Sequence, residues 1–234
     1  MKPKLNFEGI AGPINGVLFD LDDTLIDRRA AFRLWLTAAM NHWLRGIAKE
    51  ERDKEIEHLI EIDKSGLTPR YHFFSYVRDR YRKFNIPPES LAMQYYADIL
   101  EYTCLALGAD QLLRSLTERE TPFGIVTNGS DHQMHKAARV GLANQATCIL
   151  ISEHFGYRKP HPHIFLEASK RLNVNPREIL FVGDQPDIDI IGAHHFGMRT
   201  AWVRHGKAWP ECLPAQAVDL ICDSLLQITI IQAN

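Results

Sequence analysis

The chain has 234 residues, with 27 Lys and Arg against 29 Asp and Glu, a net charge of −2 and 45% hydrophobic residues. That length suffices for a core in one large domain or two modest ones, and the charge balance leaves no electrostatic footprint for nucleic acid or an anionic membrane surface. No apolar run approaches the roughly 20 residues that cross a bilayer. The first residues lack the apolar segment of a secretory leader. Cys104, Cys148, Cys212 and Cys222 are scattered without metal-like spacing, which predicts buried thiols in a reducing, cytoplasmic setting.

Residues 1–15 carry Pro3, Gly9, Gly12 and Pro13 and read as an irregular lead-in. Val17, Leu18 and Phe19 form a continuous apolar run, which predicts a strand over 16–20 that is covered on both faces. From Asp27, a predicted N-cap, the texture becomes helical. RRAAFRLWLTAAMNHWLRGIA places Phe32, Leu36, Trp43 and Ile47 near one face, and the charged KEERDKEIEHLIEIDK follows. RYHFFSYVRDRYRKF and, after Pro87 and Pro88, ESLAMQYYADILEYTCLAL give two further helical patterns. Trp35, Trp43, Tyr71, Phe73, Phe74 and Tyr76 read mostly as the core of this block. Beyond it, strands are predicted at 122–127, 147–151, 179–183 and 199–203, alternating with helices over 131–141, 162–173 and 188–196. That alternation predicts an α/β fold with a doubly wound parallel sheet. The strand at 16–20 belongs to the same sheet, so the core comprises 1–27 and 108–234, and 28–107 is an inserted all-helical domain.

Ligands of open α/β sheets bind outside the carboxyl ends of the strands, and the unusual polar residues fall there. The first strand runs into Asp20, Asp22, Asp23 and Thr24, and the second into Thr127, Asn128, Gly129 and Ser130. Lys159 precedes the helix at 162, and the strand ILFVG runs into Asp184, Asp187 and Asp189. With parallel strands all four clusters face one crevice. Unpaired charge is costly there, so the carboxylates point to a bound cation.

These segments together resemble the haloacid dehalogenase-like hydrolase superfamily, most of whose members are Mg²⁺-dependent phosphatases. The motif DxDx[TV] is matched by Asp20, Asp22 and Thr24, the strand-ending Thr by Thr127 in VTNGS, the Lys by Lys159 in YRKPHPHIF, and GDxxxxD by Asp184 and Asp189. The resemblance covers about 20–200 in order and spacing, and the insertion resembles the helical cap of the superfamily's first subclass. It implies Asp20 as nucleophile through an aspartyl-phosphate, and Asp22 as general acid and base. It also implies Mg²⁺ on the Asp20 and Asp184 carboxylates and the Asp22 carbonyl, with Asp189 acting through water or by orienting Lys159. Thr127 with the amides of Asn128 and Gly129, together with Lys159, would bind phosphate. Thr24 is a supporting residue, and Arg28, Arg29 and Arg70 are candidate substrate contacts.

The expected activity is hydrolysis of a small phosphorylated metabolite: a nucleotide, flavin mononucleotide or a sugar phosphate. A phosphomutase or a 2-haloacid dehalogenase on the same fold is the enzymatic alternative, although a halide leaving group has no use for the proton donor Asp22. A receiver-like signalling module fits less well, because it carries its phosphorylated Asp after a later strand and lacks a long helical insertion, and a non-catalytic descendant fits less well because no catalytic acid is missing. The pairs His161/His163 and His194/His195 lack the spacing of a zinc site and read as structural or surface residues. No membrane or nucleic-acid partner is expected, and the oligomeric state stays open.

Overall fold

The computed structural model describes residues 5–81 and 86–231. The chain forms two compact units, one running up to Asp27 and again from Cys104, the other spanning Arg28–Thr103. The return into the first unit comes earlier than the expected 107/108, because residues just past Thr103 already bond to it. Cys104 accepts from the Asp27 amide, Leu105 bridges Ile26, and Ala106 donates to Leu25.

In chain order the elements are β1 (Asn6–Phe7), β2 (Gly16–Phe19), α1 (Arg28–Trp43), α2 (Lys49–Asp63), α3 (Arg70–Arg80), α4 (Pro88–Tyr102), α5 (Ala109–Glu118) and β3 (Phe123–Thr127). They continue with α6 (His132–Arg139), β4 (Cys148–Ile151), α7 (Ser152–Phe155), α8 (Pro162–Leu172), β5 (Ile179–Gly183), α9 (Ile191–His195), β6 (Arg199–Val203), β7 (Leu220–Cys222) and β8 (Ile230–Ile231). A six-stranded sheet of order β4-β3-β2-β5-β6-β7, parallel throughout, is the frame of the first unit. Its strands alternate between two apolar layers, as the period of two requires. Val17, Phe19, Leu180 and Val182 belong to one layer, whereas Leu18, Ile179 and Phe181 belong to the other. Burial on both faces explains why these strands read as unbroken apolar runs. β2 lies at the centre with β3 on one side and β5 on the other, so the chain diverges in both directions from its end.

Three details depart from the sequence reading. The lead-in is not wholly irregular: β1 pairs antiparallel with β8, and Leu5 bridges Ile14. β7 was not foreseen, since three residues between two acids give too short a pattern to score. Cys104 and Cys212 are exposed, and only Cys148 and Cys222 are buried.

The helical unit packs around aromatic rings, with Trp35 meeting Tyr95 edge-on at 4.8 Å between centroids and Phe32 meeting Phe73 at 5.6 Å. Tyr71, expected in this core, is exposed. Left-handed backbone at Gly46 and at Lys64 and Ser65 ends the first two helices and turns the chain back. The helix expected to run on to Phe84 ends at Arg80, and positions 82–85 lie outside the described residues.

Candidate active site

The carboxyl ends of β2, β3 and β5 bring the predicted residues of the first unit together. Asp20 directly follows β2, its amide donating to the Val182 carbonyl of β5 (2.9 Å). Asp184 directly follows β5, and its own carbonyl accepts from the indole N–H of the buried Trp202 on β6 (2.9 Å). Asp189 lies one turn later, on a π-helical turn over Pro186–Ile190, a form that concentrates at functional sites. That turn buries Asp189 and leaves Asp187 exposed. Asp20, Asp184 and Asp189 are the one group among the described residues whose ligand atoms are disposed to hold a metal ion, lying within 4.8 Å of one another. No histidine belongs to it.

Lys159 sits among these acids with its side chain 1% exposed, 2.6 Å from Asp20 Oδ1 and 2.7 Å from Asp189 Oδ1. A buried ammonium is tolerable only when paired in this way. Its backbone is held by the Asn128 side chain, whose oxygen accepts from Lys159 N–H (2.9 Å) and whose amide donates to Lys159 O (3.0 Å). Asn128, expected to meet phosphate through its amide, thus fixes Lys159 with its side chain.

One ammonium faces three buried carboxylates, and the imbalance shows in their proton affinities. Burial pushes Asp20 up to about 7; Lys159 opposes this, and Asp189 and Asp22 add to it. Burial also lifts Asp184 well above the usual carboxylate range, reinforced by the negative charges of Asp20 and Asp189. For Lys159 burial alone would favour the neutral amine, but Asp189 and Asp20 outweigh it and hold the ammonium above its usual range. Asp184 Oδ1 is buried and has no hydrogen-bond partner. A hard oxygen set with surplus negative charge and an unsatisfied carboxylate oxygen fits Mg²⁺.

Two outcomes follow from this geometry. In the absence of a cation, folded Asp20 keeps its proton up to about 7, whereas unfolded Asp20 loses it near 3.8. The folded state thus binds more protons across that window, so stability is highest below it and declines as pH rises through it. Metal-free protein is expected to melt at a lower temperature at about pH 8 than at about pH 6, and added Mg²⁺ should raise the higher-pH melt more, since it binds ionised carboxylates. Equal Mg²⁺ effects at the two pH values would contradict this. Gly183 supplies the second test, because a Cβ there would lie 2.5 Å from Asp189 Oδ2. Gly183→Ala is expected to cost about 1–3 kcal/mol through overpacking and to reduce activity by displacing Asp189 from Lys159, as a thermal melt and a phosphate-release assay will report.

At the end of β3, Thr127 is buried, and its hydroxyl accepts from Gln133 Nε2 (2.7 Å). The Gly129 amide, expected to be free for phosphate, instead donates to Ser152 Oγ (3.0 Å). Gly129 has φ 152° and a Cβ would meet Gln133 Cγ at 2.8 Å, so glycine is required for the close approach of α6. Thr24 is buried with its hydroxyl unpartnered. The Asp22 carboxylate, outside the acidic trio, accepts from Lys136 Nζ at 2.8 and 2.7 Å and from Gln133 Nε2 at 3.0 Å. The sequence reading missed Lys136 and Gln133. Their only signal was two polar residues three apart on a helix that directly follows the Thr127 loop.

The candidate contacts of the helical unit have a different setting. Arg28 and Arg70 both pair with the buried Asp63, at 2.6 Å in the case of Arg28, and the Gly66 amide donates to the same carboxylate (2.9 Å). Arg70 also lies 4.9 Å from the Tyr95 ring centroid. Both arginines thus brace the unit from within, and Arg29 is half-buried.

The model of the haloacid dehalogenase-like hydrolase family matches residues 17–203. The chain is 33% identical to the glyceraldehyde 3-phosphate phosphatase of Pyrococcus furiosus, over 83% of this chain and 82% of that protein. Among solved structures, a HAD-hydrolase from Bacillus subtilis bound to magnesium is 23% identical with a TM-score of 0.71, covering 92% of this chain and 96% of that one. A 2-haloacid dehalogenase from Pseudomonas syringae is 30% identical with a TM-score of 0.58, covering 92% and 96%. The chain belongs to the haloacid dehalogenase-like hydrolase family. It is an enzyme of that family, with a doubly wound core and an inserted helical unit.

Proposed function

We propose that this enzyme is a Mg²⁺-dependent phosphatase that hydrolyses the monoester of a small phosphorylated metabolite through an aspartyl-phosphate on Asp20. The observation that carries the reading is the buried trio Asp20, Asp184 and Asp189 balanced by a single ammonium, with one Asp184 oxygen left without a partner. Asp20, Asp184 and the main-chain carbonyl of Asp22 would hold the cation, with Asp189 acting through Lys159 or a water. When bound, the cation supplies positive charge to the phosphoryl oxygens.

Asp20 attacks phosphorus with a carboxylate oxygen as the bond from phosphorus to the leaving oxygen breaks, and Asp22 gives that oxygen a proton. Water then attacks the phosphorus, Asp22 takes its proton, and inorganic phosphate departs with Asp20 restored. Lys159 and the Thr127 hydroxyl neutralise and orient the transferring group. A dehalogenase needs neither a cation site nor a proton donor, so the acidic trio and Asp22 favour phosphoryl transfer over halide displacement. The likeness to an archaeal phosphatase of a three-carbon phosphate supports a small substrate. The four unpaired cysteines support a reducing, cytoplasmic location.

The test is phosphate release from three-carbon phosphates, sugar phosphates, nucleotides and flavin mononucleotide, with Mg²⁺ and with chelator. Chelator-sensitive release from at least one class is expected. Silence across the panel from folded protein, or release that survives chelation, overturns the reading.

A further inference from the structure

We propose that Lys136 and Gln133 on α6 are positioning residues that hold the Asp22 carboxylate in place for proton transfer. The proposal rests on the phosphatase reading above and adds two residues to it.

The Lys136 side chain is 8% exposed, and its ammonium meets both Asp22 oxygens, at 2.8 and 2.7 Å. Lys136 lies 114 residues from Asp22 in sequence, so only the fold makes this pair. Gln133, three residues earlier and equally buried, divides its amide between Asp22 Oδ2 at 3.0 Å and Thr127 Oγ1 at 2.7 Å. One side chain therefore ties the proton-transfer group to the hydroxyl at the phosphate end of β3. The Gly129 backbone permits this approach, since any Cβ there would strike Gln133.

An aspartate reaches its target through two rotatable bonds and, if unrestrained, distributes itself over several staggered wells. Proton transfer needs the heavy atoms within hydrogen-bond reach of the leaving oxygen and of the attacking water. Charge-assisted bonds to both oxygens of the ionised carboxylate, with a third from an amide, restrict that search before substrate binds. When Asp22 carries the proton that it passes to the leaving oxygen, one oxygen bears that proton while the other still accepts from Lys136. Neither Lys136 nor Gln133 needs to touch the substrate for this effect.

The experiment measures single-turnover release of the leaving group from the Mg²⁺-loaded full chain. It compares an alkyl phosphate, whose leaving alkoxide requires a proton, with p-nitrophenyl phosphate, whose phenolate does not. Lys136→Met is expected to slow the alkyl ester by about 100-fold and the aryl ester by no more than about threefold, with KM little changed. Lys136→Arg, which keeps a donor, should recover most of the alkyl rate. In an Asp22→Asn background Lys136→Met should cost nothing further, because the two act as one unit. Gln133→Leu should show the same selectivity for the alkyl ester with a smaller loss, about tenfold, and decides the matter if Lys136→Met does not fold. Equal losses on the two esters, or additive losses with Asp22→Asn, or an unaffected alkyl rate, overturn the proposal while leaving the phosphatase reading intact. A wild-type enzyme silent on every monoester overturns both.

Discussion

Asp20→Asn is expected to reduce phosphate release by about 10⁴-fold or more while leaving the far-ultraviolet circular dichroism of the fold unchanged. The amide keeps the shape of the carboxylate at the end of β2 but cannot attack phosphorus, and the neighbouring carboxylates have other roles, Asp184 being one that would hold the cation. The Asp22 carboxylate is taken up by Lys136 and Gln133, and Asp189 is paired with Lys159. The fold should survive, because Lys159 retains Asp189 at 2.7 Å when the Asp20 charge is removed. Steady-state activity within about tenfold of wild type would exclude Asp20 as nucleophile.

Lys159→Met should affect both stability and catalysis. Its ammonium is 1% exposed and lies between Asp20 and Asp189, so removal leaves two buried carboxylates side by side with Asp184 beyond them. Deleting one partner of a buried ion pair costs about 3–5 kcal/mol, which a denaturant titration will read as a lower midpoint. The loss should shrink at acidic pH, where protonation relieves the repulsion among carboxylates that burial and mutual charge already push upward. Turnover should fall by about 10²- to 10³-fold, the cost of withdrawing one preorganised positive group from a developing phosphoryl charge. A variant of wild-type stability would mean that Lys159 is not the counterion of the acidic trio.

The parts of the fold and site that were legible share a physical property: each is written locally. A doubly covered strand must be an apolar run, and its end must turn polar where a charged ligand binds, so Asp20, Thr127 and Asp184 stood out at strand ends. Lys136 and Gln133 did not, because their meaning lies in a contact across more than a hundred residues, and without it they look like the solvated face of a short helix. The β1–β8 pair joins the two ends of the described chain, and no local period could announce it. In sequence the Gly129 amide is a natural phosphate donor, because successive amides form anion nests, yet Ser152, brought in from the end of β4, takes its N–H. Arg28 and Arg70 looked like solvent-facing groups free for substrate. The buried Asp63 that engages both arginines is 35 residues beyond Arg28 and, in sequence, just another acid on a charged helix.

The most direct test of the account is rapid-quench mass spectrometry of the wild-type enzyme turning over a phosphate monoester with Mg²⁺. The account requires a peptide carrying one added phosphoryl group on Asp20, formed and lost at rates that match phosphate release. Phosphate released at full rate with Asp20 unmodified at every time point would contradict it.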